Sequence, residues 1–141
     1  RFSTLAYGAI RTPAKTRVED RLAQIDRDLS RIIDRYRPTQ MAVEELFFNT
    51  NTTTAITVAE ARGVILLNAR KHGLTIYEYT PLQVKQAVVG YGRAEKKQVI
   101  MMVTQLLNLP APPKPDDTAD ALAIAICHAH TGSSKLSMFQ N

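Results

Sequence analysis

The sequence predicts an α/β protein in which helices cover a sheet. Short apolar runs bounded by turn residues indicate buried strands, and longer segments with apolar residues at three- and four-residue steps indicate amphipathic helices. These segments follow in the order strand, helix, strand, helix, strand and then three helices, which is typical of a sheet with covering helices. At 141 residues, the chain suits a single domain with a sizeable core.

The composition is that of a globular protein, with 45% hydrophobic and 22% charged residues. The longest wholly apolar run, 121–127, is too short to span a bilayer and no signal peptide is visible, so we expect a cytoplasmic protein. The net charge of +5 is compatible with a polyanionic partner without requiring one. The single cysteine, Cys127, excludes a disulfide framework and a multi-cysteine zinc site, and its apolar neighbours predict that it is buried.

The first predicted elements are a strand and an amphipathic helix. Residues 2–10 favour β-structure, and the Arg-Thr-Pro that follows marks the end of a strand. Thr16 followed by Glu19 has the spacing of a capping box. Apolar residues then recur at helical steps up to Tyr36, and Pro38 closes the helix.

Two strands with a helix between them come next. Residues 41–43 form an apolar run too short for a helix, as expected of a buried parallel strand. Residues 55–71 predict the second helix, which ends at Gly73, and residues 75–79 predict the following strand. The Thr-Pro pair that opens 80–89 predicts the N-cap and first position of a short helix.

The last third of the chain predicts two helices joined by a stiff connector. Residues 93–109 have a helical apolar face, and four prolines between 110 and 115 cannot be helix or central strand. Residues 116–130 then form an alanine-rich helix that an acidic cluster opens. We expect 132–141 to be a flexible C-terminal tail.

Three carboxylates are candidates for chemistry. Asp117 and Asp120 are three residues apart, so both point to the same side of the last helix. Such acids often serve only as N-caps or offset the helix dipole, but the apolar helix behind them predicts a buried border where a carboxylate needs a partner, such as a divalent metal. Glu44 falls at the carboxyl end of the strand at 41–43, where functional groups of open α/β sheets gather, and a solvated acid is an equal interpretation.

If the last helix packs over that strand, the three carboxylates form an oxygen-only site. Such a site suits Mg²⁺ or Mn²⁺. Two ions about 3.5 to 4 Å apart would activate a water and stabilise the leaving oxygen of a phosphodiester.

Basic residues flank the Gly-Tyr-Gly at 90–92, namely Lys85, Arg93, Lys96 and Lys97. They could grip a phosphate backbone, although lysine runs are usually only solvated surface. A basic loop beside an acidic pocket indicates a nuclease. Residues 46–48 are apolar within an apparent loop, which suggests a partner surface or a segment that inserts into a partner.

Four ordered motifs closely resemble the RuvC family of bacterial Holliday junction resolvases. They are Ala-Val-Glu-Glu-Leu-Phe (42–47), Ala-Arg-Gly-Val (61–64), Val-Lys-Gln-Ala-Val-Val-Gly-Tyr-Gly-Arg-Ala-Glu-Lys (84–96) and Asp-Thr-Ala-Asp-Ala-Leu-Ala-Ile-Ala (117–125). The resemblance implies a ribonuclease H-like fold, with a mixed sheet flanked by helices. It also implies a homodimer that uses Mg²⁺ to nick two strands of a four-way DNA junction symmetrically, with the RuvA and RuvB branch-migration proteins as candidate partners.

The resemblance also assigns roles to individual residues. It implies that the catalytic metal ligands are Glu44, Asp117 and Asp120, and that the functional lysines are Lys85 and Lys96. Phe47 matches an aromatic residue that engages bases at the junction centre, where stacking would contribute about 1 to 3 kcal/mol. The helix that begins near Ala55 resembles the family's dimer contact, and Arg93 and Lys97 are further candidates for DNA binding.

The sequence departs from the family at its start. The family begins with a strand that carries the first catalytic aspartate, followed by a second strand, and nothing before Arg1 supplies either. We therefore expect residues 1–131 to form an N-terminally incomplete nuclease domain that does not cleave as printed. Asp20 and Asp26, on a solvated helix face, and Asp116, which points away from the acidic pair, are poor substitutes.

Two other functions stay open. The first is a protein of the same fold that binds branched nucleic acid without cutting it. The second is a related nuclease for another nucleic acid, which would cut linear duplex or an RNA hybrid as readily as a junction.

Overall fold

The computed structural model describes residues 2–45 and 52–139. These residues form five helices and two strands, in the order α1 (Val18–Tyr36), β1 (Gln40–Glu44), α2 (Thr52–Lys71), β2 (Thr75–Tyr79), α3 (Pro81–Val88), α4 (Lys96–Leu106) and α5 (Asp116–Phe139). The predicted α/β class is confirmed. No helix in this described part combines the length and the apolar character needed to cross a bilayer.

The chain forms two compact units. The first unit holds α1 and α2 with the opening residues of both strands, and the second holds α3, α4 and α5 with the closing residues of both strands. The predicted domain over 1–131 stays a prediction. Helix α5 runs on through Phe139, into the segment that the sequence predicts to be a flexible tail.

The core of the first unit is the apolar face that α1 and α2 share with the strands. Ile33, Ala69 and Leu74 are buried together, and Leu29, Met41 and Ile76 pack against them. Three- and four-residue spacing on α1 puts Leu29 and Ile33 on one helix face, as predicted.

Polar bonds also join α1 to α2. The buried Asn68 places Nδ2 2.7 Å from Asp26 Oδ1, 3.1 Å from the Asp26 carbonyl oxygen and 2.8 Å from Ser30 Oγ. Asp26 is exposed on α1, as the sequence predicts, yet its carboxylate and carbonyl oxygens accept two of these bonds. A charged face that appears only solvated in sequence thus carries a specific contact.

The start of α1 differs from the prediction. The N-cap is Arg17, because the Thr16 hydroxyl donates to the Pro13 carbonyl at 2.8 Å and so is not available to the helix. The Glu19 carboxylate accepts a hydrogen bond from Arg17 Nε at 2.8 Å. The predicted capping box of Thr16 and Glu19 is therefore wrong.

The sheet contains two parallel strands, β1 and β2. The Thr75 N–H donates to the Thr39 carbonyl at 3.1 Å, and the Glu45 N–H donates to the Tyr79 carbonyl at 2.8 Å, so the paired residues advance together along both strands. The prediction for 75–79 is confirmed, and the strand predicted at 41–43 is one residue longer at each end.

The predicted strand at 2–10 is wrong, because these residues have no strand structure. Leu5 is 77% exposed and Tyr7 is 45% exposed. A strand needs a neighbour whose backbone groups it can pair with. In the described part of the chain, β1 and β2 make up the sheet and pair with each other.

In the second unit, the helix caps decide where α3 and α4 begin. Thr80 accepts from the Gln83 N–H at 3.1 Å, and the Gln83 side chain accepts from the Thr80 N–H at 2.8 Å, which confirms the predicted start of α3. Helix α4 begins at Lys96 rather than at 93, because the Glu95 N–H already pairs with the Gln98 side chain at 2.8 Å. It ends at Leu106 rather than at 109, just before Asn108 takes a left-handed conformation with φ of 52°.

The last helix, α5, is buried along one face rather than all round. Ala119, Ala123, Ile126 and Cys127 are at most 2% exposed, whereas Ala121 and Ala125 are exposed. The burial predicted for Cys127 is confirmed. The buried face of α5 packs against α3 and α4.

Candidate active site

A cavity of about 220 Å³ lies in the second unit, where the end of β1 meets three helices. Its walls come from β1, α3, α4 and α5, and they consist of Glu44, Pro81, Val84, Lys85, Lys96, Val99, Asp120, Ala123 and Ile124. The cavity therefore combines two carboxylates and two ammonium groups with an apolar floor.

Glu44 is the last residue of β1 and reaches the cavity from the strand end. Its residue is exposed overall, but part of the side chain is desolvated by the cavity walls. This burial raises the pKa of the Glu44 carboxyl, and the nearby Asp120 carboxylate raises it further, while the Lys96 ammonium lowers it in part. The two acids are thus close enough to repel each other.

Asp120 reaches the cavity from the start of α5 and pairs with a lysine. Its Oδ2 atom lies 3.4 Å from Lys96 Nζ at the start of α4. Asp117, one turn earlier on α5, is exposed and does not line the cavity. Of the three predicted ligands, the structure therefore brings Glu44 and Asp120 together at this cavity and leaves Asp117 outside it.

Two of the four predicted basic residues line the cavity and two do not. Lys85 on α3 and Lys96 on α4 line the cavity. Arg93 and Lys97 are exposed and do not line it. Phe47, the predicted base-engaging residue, lies outside the described residues.

The donor set fits a divalent cation by type. Glu44 and Asp120 offer carboxylate oxygens, which hard cations such as Mg²⁺ and Mn²⁺ prefer. Burial, and to a smaller extent the Asp120 carboxylate, raise the pKa of Glu44, and a bound cation would favour the charged form of both acids. Within residues 2–45 and 52–139, however, no group of three or more histidine, cysteine or acidic side chains gathers into a metal site.

Tyr79 and His128 form a contact that the sequence did not indicate. The Tyr79 hydroxyl oxygen lies 2.6 Å from His128 Nδ1, and Tyr79 is fully buried. Beside it, Cys127 Sγ donates a weak bond to the Gln83 carbonyl at 3.7 Å. A strand that ends in a tyrosine suggests that its hydroxyl needs a partner if the tyrosine is buried, but the sequence does not say which partner.

Comparison with known proteins identifies relatives that match most of this chain. The model of the family described as crossover junction endodeoxyribonuclease RuvC matches residues 1–128. The RuvC of Heliobacterium modesticaldum is 66% identical over 131 residues, which cover 93% of this chain and 81% of that protein. The RuvC of Alkaliphilus oremlandii is 61% identical over 133 residues, which cover 94% of this chain and 81% of that protein.

Solved structures show the same similarity in three dimensions. The structure of Thermus thermophilus RuvC aligns with a TM-score of 0.81 at 37% identity, covering 89% of this chain and 76% of that one. T. thermophilus RuvC in complex with a Holliday junction substrate aligns with a TM-score of 0.80 at 39% identity, covering 84% of this chain and 72% of that one. The predicted ribonuclease H-like fold is confirmed by these neighbours.

Proposed function

Because the chain belongs to the RuvC family of crossover junction endodeoxyribonucleases, we propose that it resolves Holliday junctions by metal-dependent nicking of two DNA strands. The observation that carries this proposal is the cavity in which Glu44 and Asp120 face Lys85 and Lys96. A phosphodiester is an anion, and its hydrolysis needs both an activated water and a stabilised leaving oxygen.

Glu44 and Asp120 would hold Mg²⁺ or Mn²⁺, one ion or two, and the bound metal would supply the activated water and the stabilisation of the leaving oxygen. The two carboxylates, one from β1 and one from α5, could also accept hydrogen bonds from that water and so orient it. Asp117 keeps its proposed role as a further ligand on the family resemblance alone.

Lys85 and Lys96 would bind the scissile phosphate, because both ammonium groups line the cavity. Lys96 lies 3.4 Å from Asp120, and its ammonium has three N–H donors, so it can donate to a phosphate oxygen while it stays beside that carboxylate. Arg93 and Lys97, exposed near the same end of α4, would bind the DNA backbone outside the cavity. Phe47 would stack on a base at the junction centre, and a homodimer built on α2 would present two such sites.

A nicking assay on the intact protein tests this function, with a four-way junction and a linear duplex of the same arms as substrates. We expect Mg²⁺-dependent nicks in two opposing strands of the junction and little cutting of the duplex. Asp120→Asn should abolish nicking and leave junction binding, measured by band shift in Ca²⁺, largely intact. Nicking that survives Asp120→Asn would overturn the site assignment, and Asp117→Asn tests the third acid separately.

A second candidate function is binding of branched DNA without cutting. It is favoured by the fact that the described residues bring two acidic side chains to the cavity rather than three. Junction-selective binding with no nicking in Mg²⁺ or Mn²⁺ would support this candidate.

The proposed contact between Lys85 and a DNA phosphate is tested by the salt dependence of junction binding. Lys85→Ala should weaken junction binding and lower the slope of log Kd against log salt by about one unit. An unchanged slope would show that Lys85 makes no phosphate contact.

A further inference from the structure

Tyr79 is bonded at both its ends within the second unit. Its carbonyl oxygen accepts from the Glu45 N–H at 2.8 Å, and its hydroxyl oxygen lies 2.6 Å from His128 Nδ1. The Tyr79 and His128 rings are also in contact, with centroids 5.7 Å apart. Tyr79 has no exposed surface, so both bonds are buried on the tyrosine side.

The two bonds end on the two elements that carry the acids. The Glu45 N–H belongs to the peptide group that follows Glu44, so the first bond fixes the backbone next to the Glu44 carboxylate. His128 lies eight residues beyond Asp120 on α5, about 12 Å along the helix. Because a helix is stiff over two turns, the second bond fixes where Asp120 enters the cavity.

We propose that Tyr79 is a positioning residue of the metal site, which holds the end of β1 and the start of α5 in place and with them the Glu44 and Asp120 carboxylates that line the cavity. Tyr79 is not one of the residues that line the cavity. Its effect passes through the Glu45 peptide on one side and through His128 on the other. This inference rests on the proposed metal site.

The burial of Tyr79 favours a positioning role. Because the tyrosine itself is inaccessible to water, less water competes for the hydrogen bond of its hydroxyl. Outer groups that orient metal ligands typically change metal affinity by roughly 10- to 100-fold when they are removed. Tyr79 acts on two ligands at once, through backbone on one and through a helix on the other.

Titration of Mn²⁺ alone into the intact protein, without DNA and followed by calorimetry, tests the inference. We expect Tyr79→Phe to weaken Mn²⁺ binding by about tenfold, at the low end of the range for such groups. His128→Ala should cause a similar loss, and the double variant should lose no more than either single variant, because the two residues act through one bond. His128→Asn should restore affinity, since its amide can donate or accept near the position of Nδ1.

Control variants separate positioning from a general loss of stability. Asn68→Ala removes the buried bonds to Asp26 and Ser30 in the other unit, so it should lower the unfolding midpoint without changing Mn²⁺ affinity. If Tyr79→Phe lowers the unfolding midpoint and leaves Mn²⁺ affinity unchanged, Tyr79 is only a core contact and the inference is wrong. Additive losses in the double variant would also overturn it.

The outcome also distinguishes this inference from the metal site on which it depends. Asp120→Asn should remove Mn²⁺ binding. A wild-type protein that does not bind Mn²⁺ would overturn the metal site and the positioning role together. A wild-type protein that binds Mn²⁺ at Asp120, with Tyr79→Phe equally tight, would overturn the positioning role alone.

Discussion

Lys96 Nζ lies 3.4 Å from Asp120 Oδ2, and their side chains are 52% and 42% exposed. An ion pair with this much access to water contributes less than about 1 kcal/mol to stability. Its larger effect is on the charge of the cavity, because Lys96 opposes the rise that burial and Asp120 cause in the pKa of Glu44. Lys96 therefore acts on the charge of Glu44 as well as contributing weakly to the stability of the fold.

Lys96→Met should raise the pKa of Glu44 further, since burial and the Asp120 carboxylate would then act without an opposing cation. A carboxyl-carbon NMR titration of Glu44 measures this shift. Lys97→Met is the matched control, because Lys97 is the next residue, is exposed and does not line the cavity. Equal effects of the two substitutions would mean that the specific pair is unimportant.

Glu44→Gln should stabilise the metal-free protein at neutral pH. The pKa of Glu44 in the folded protein is raised from 4.5, so between 4.5 and the raised value the folded state keeps a proton that the unfolded state has lost. The free energy of unfolding therefore falls as pH rises through that window, and above it the charged carboxylate is a constant penalty. Glutamine removes the penalty.

Thermal unfolding in EDTA at pH 7 and at pH 4 measures this effect. The unfolding midpoint of Glu44→Gln should exceed that of the wild type at pH 7, and the difference should shrink at pH 4. Glu45→Gln, a neighbouring change outside the cavity walls, is the control. A lower midpoint for Glu44→Gln at pH 7 would contradict the burial argument.

Gly92→Ala should destabilise the loop between α3 and α4 by less than about 1 kcal/mol, below the usual cost of overpacking a core, because the crowded atoms belong to an exposed side chain that can move aside. A Cβ at Gly92 would overlap Leu82 Cδ1 and lie 3.3 Å from Leu82 Cγ. Leu82 is 55% exposed, so Leu82→Ala alone should cost little and should relieve the strain of Gly92→Ala in the double variant. Urea unfolding measures all three.

Gly90→Ala provides a contrast in the same loop. No atom lies within 4 Å of a Cβ at Gly90, but its φ of +106° disfavours any L side chain. Its cost therefore comes from the backbone and should not change with Leu82→Ala. Relief of both glycine variants by Leu82→Ala would show that crowding, rather than conformation, restricts Gly90.

Thr80→Ala should lower the free energy of unfolding by about 1 kcal/mol, because its hydroxyl accepts from the Gln83 N–H at the start of α3. Thr16→Ala should cost well under that amount, although Thr16 and Glu19 have the same spacing as Thr80 and Gln83. The Thr16 hydroxyl bonds to Pro13 in exposed chain before α1. Similar losses in urea unfolding would mean that Thr16 caps α1 in solution.

Local patterns were enough to predict the elements whose signals are contained in a few residues. The strand at 75–79 and the start of α3 at Thr80 and Pro81 agree with the structure. The errors arise where a distant or competing partner decides, as in the segment 2–10, which lacks a paired strand, and at Thr16, whose hydroxyl turns back to Pro13. The residue types of a segment show which secondary structure it can form, but its hydrogen-bond partners decide whether it forms.

The candidate site was also predicted where the signal is local and missed where distant residues decide. The sequence placed Glu44 at a strand end and Asp120 at a helix start, and the structure brings both to one cavity with Lys85 and Lys96. Spacing on α5 could not show that Asp117 stays outside the cavity, because three residues of separation fix a side of the helix and not its depth. The bond between Tyr79 and His128 joins positions 49 residues apart, which no local pattern encodes.

The amide of Asn68 affects the alignment in which α1 and α2 pack in the first unit. Apolar stripes that repeat every three or four residues would still match if α2 slid along α1 by one turn. The Asn68 bonds to Asp26 and Ser30 are satisfied in one alignment, and a shift would leave a buried amide without acceptors. The Asn68 bonds thus favour the observed alignment of α1 and α2 over one shifted by a turn.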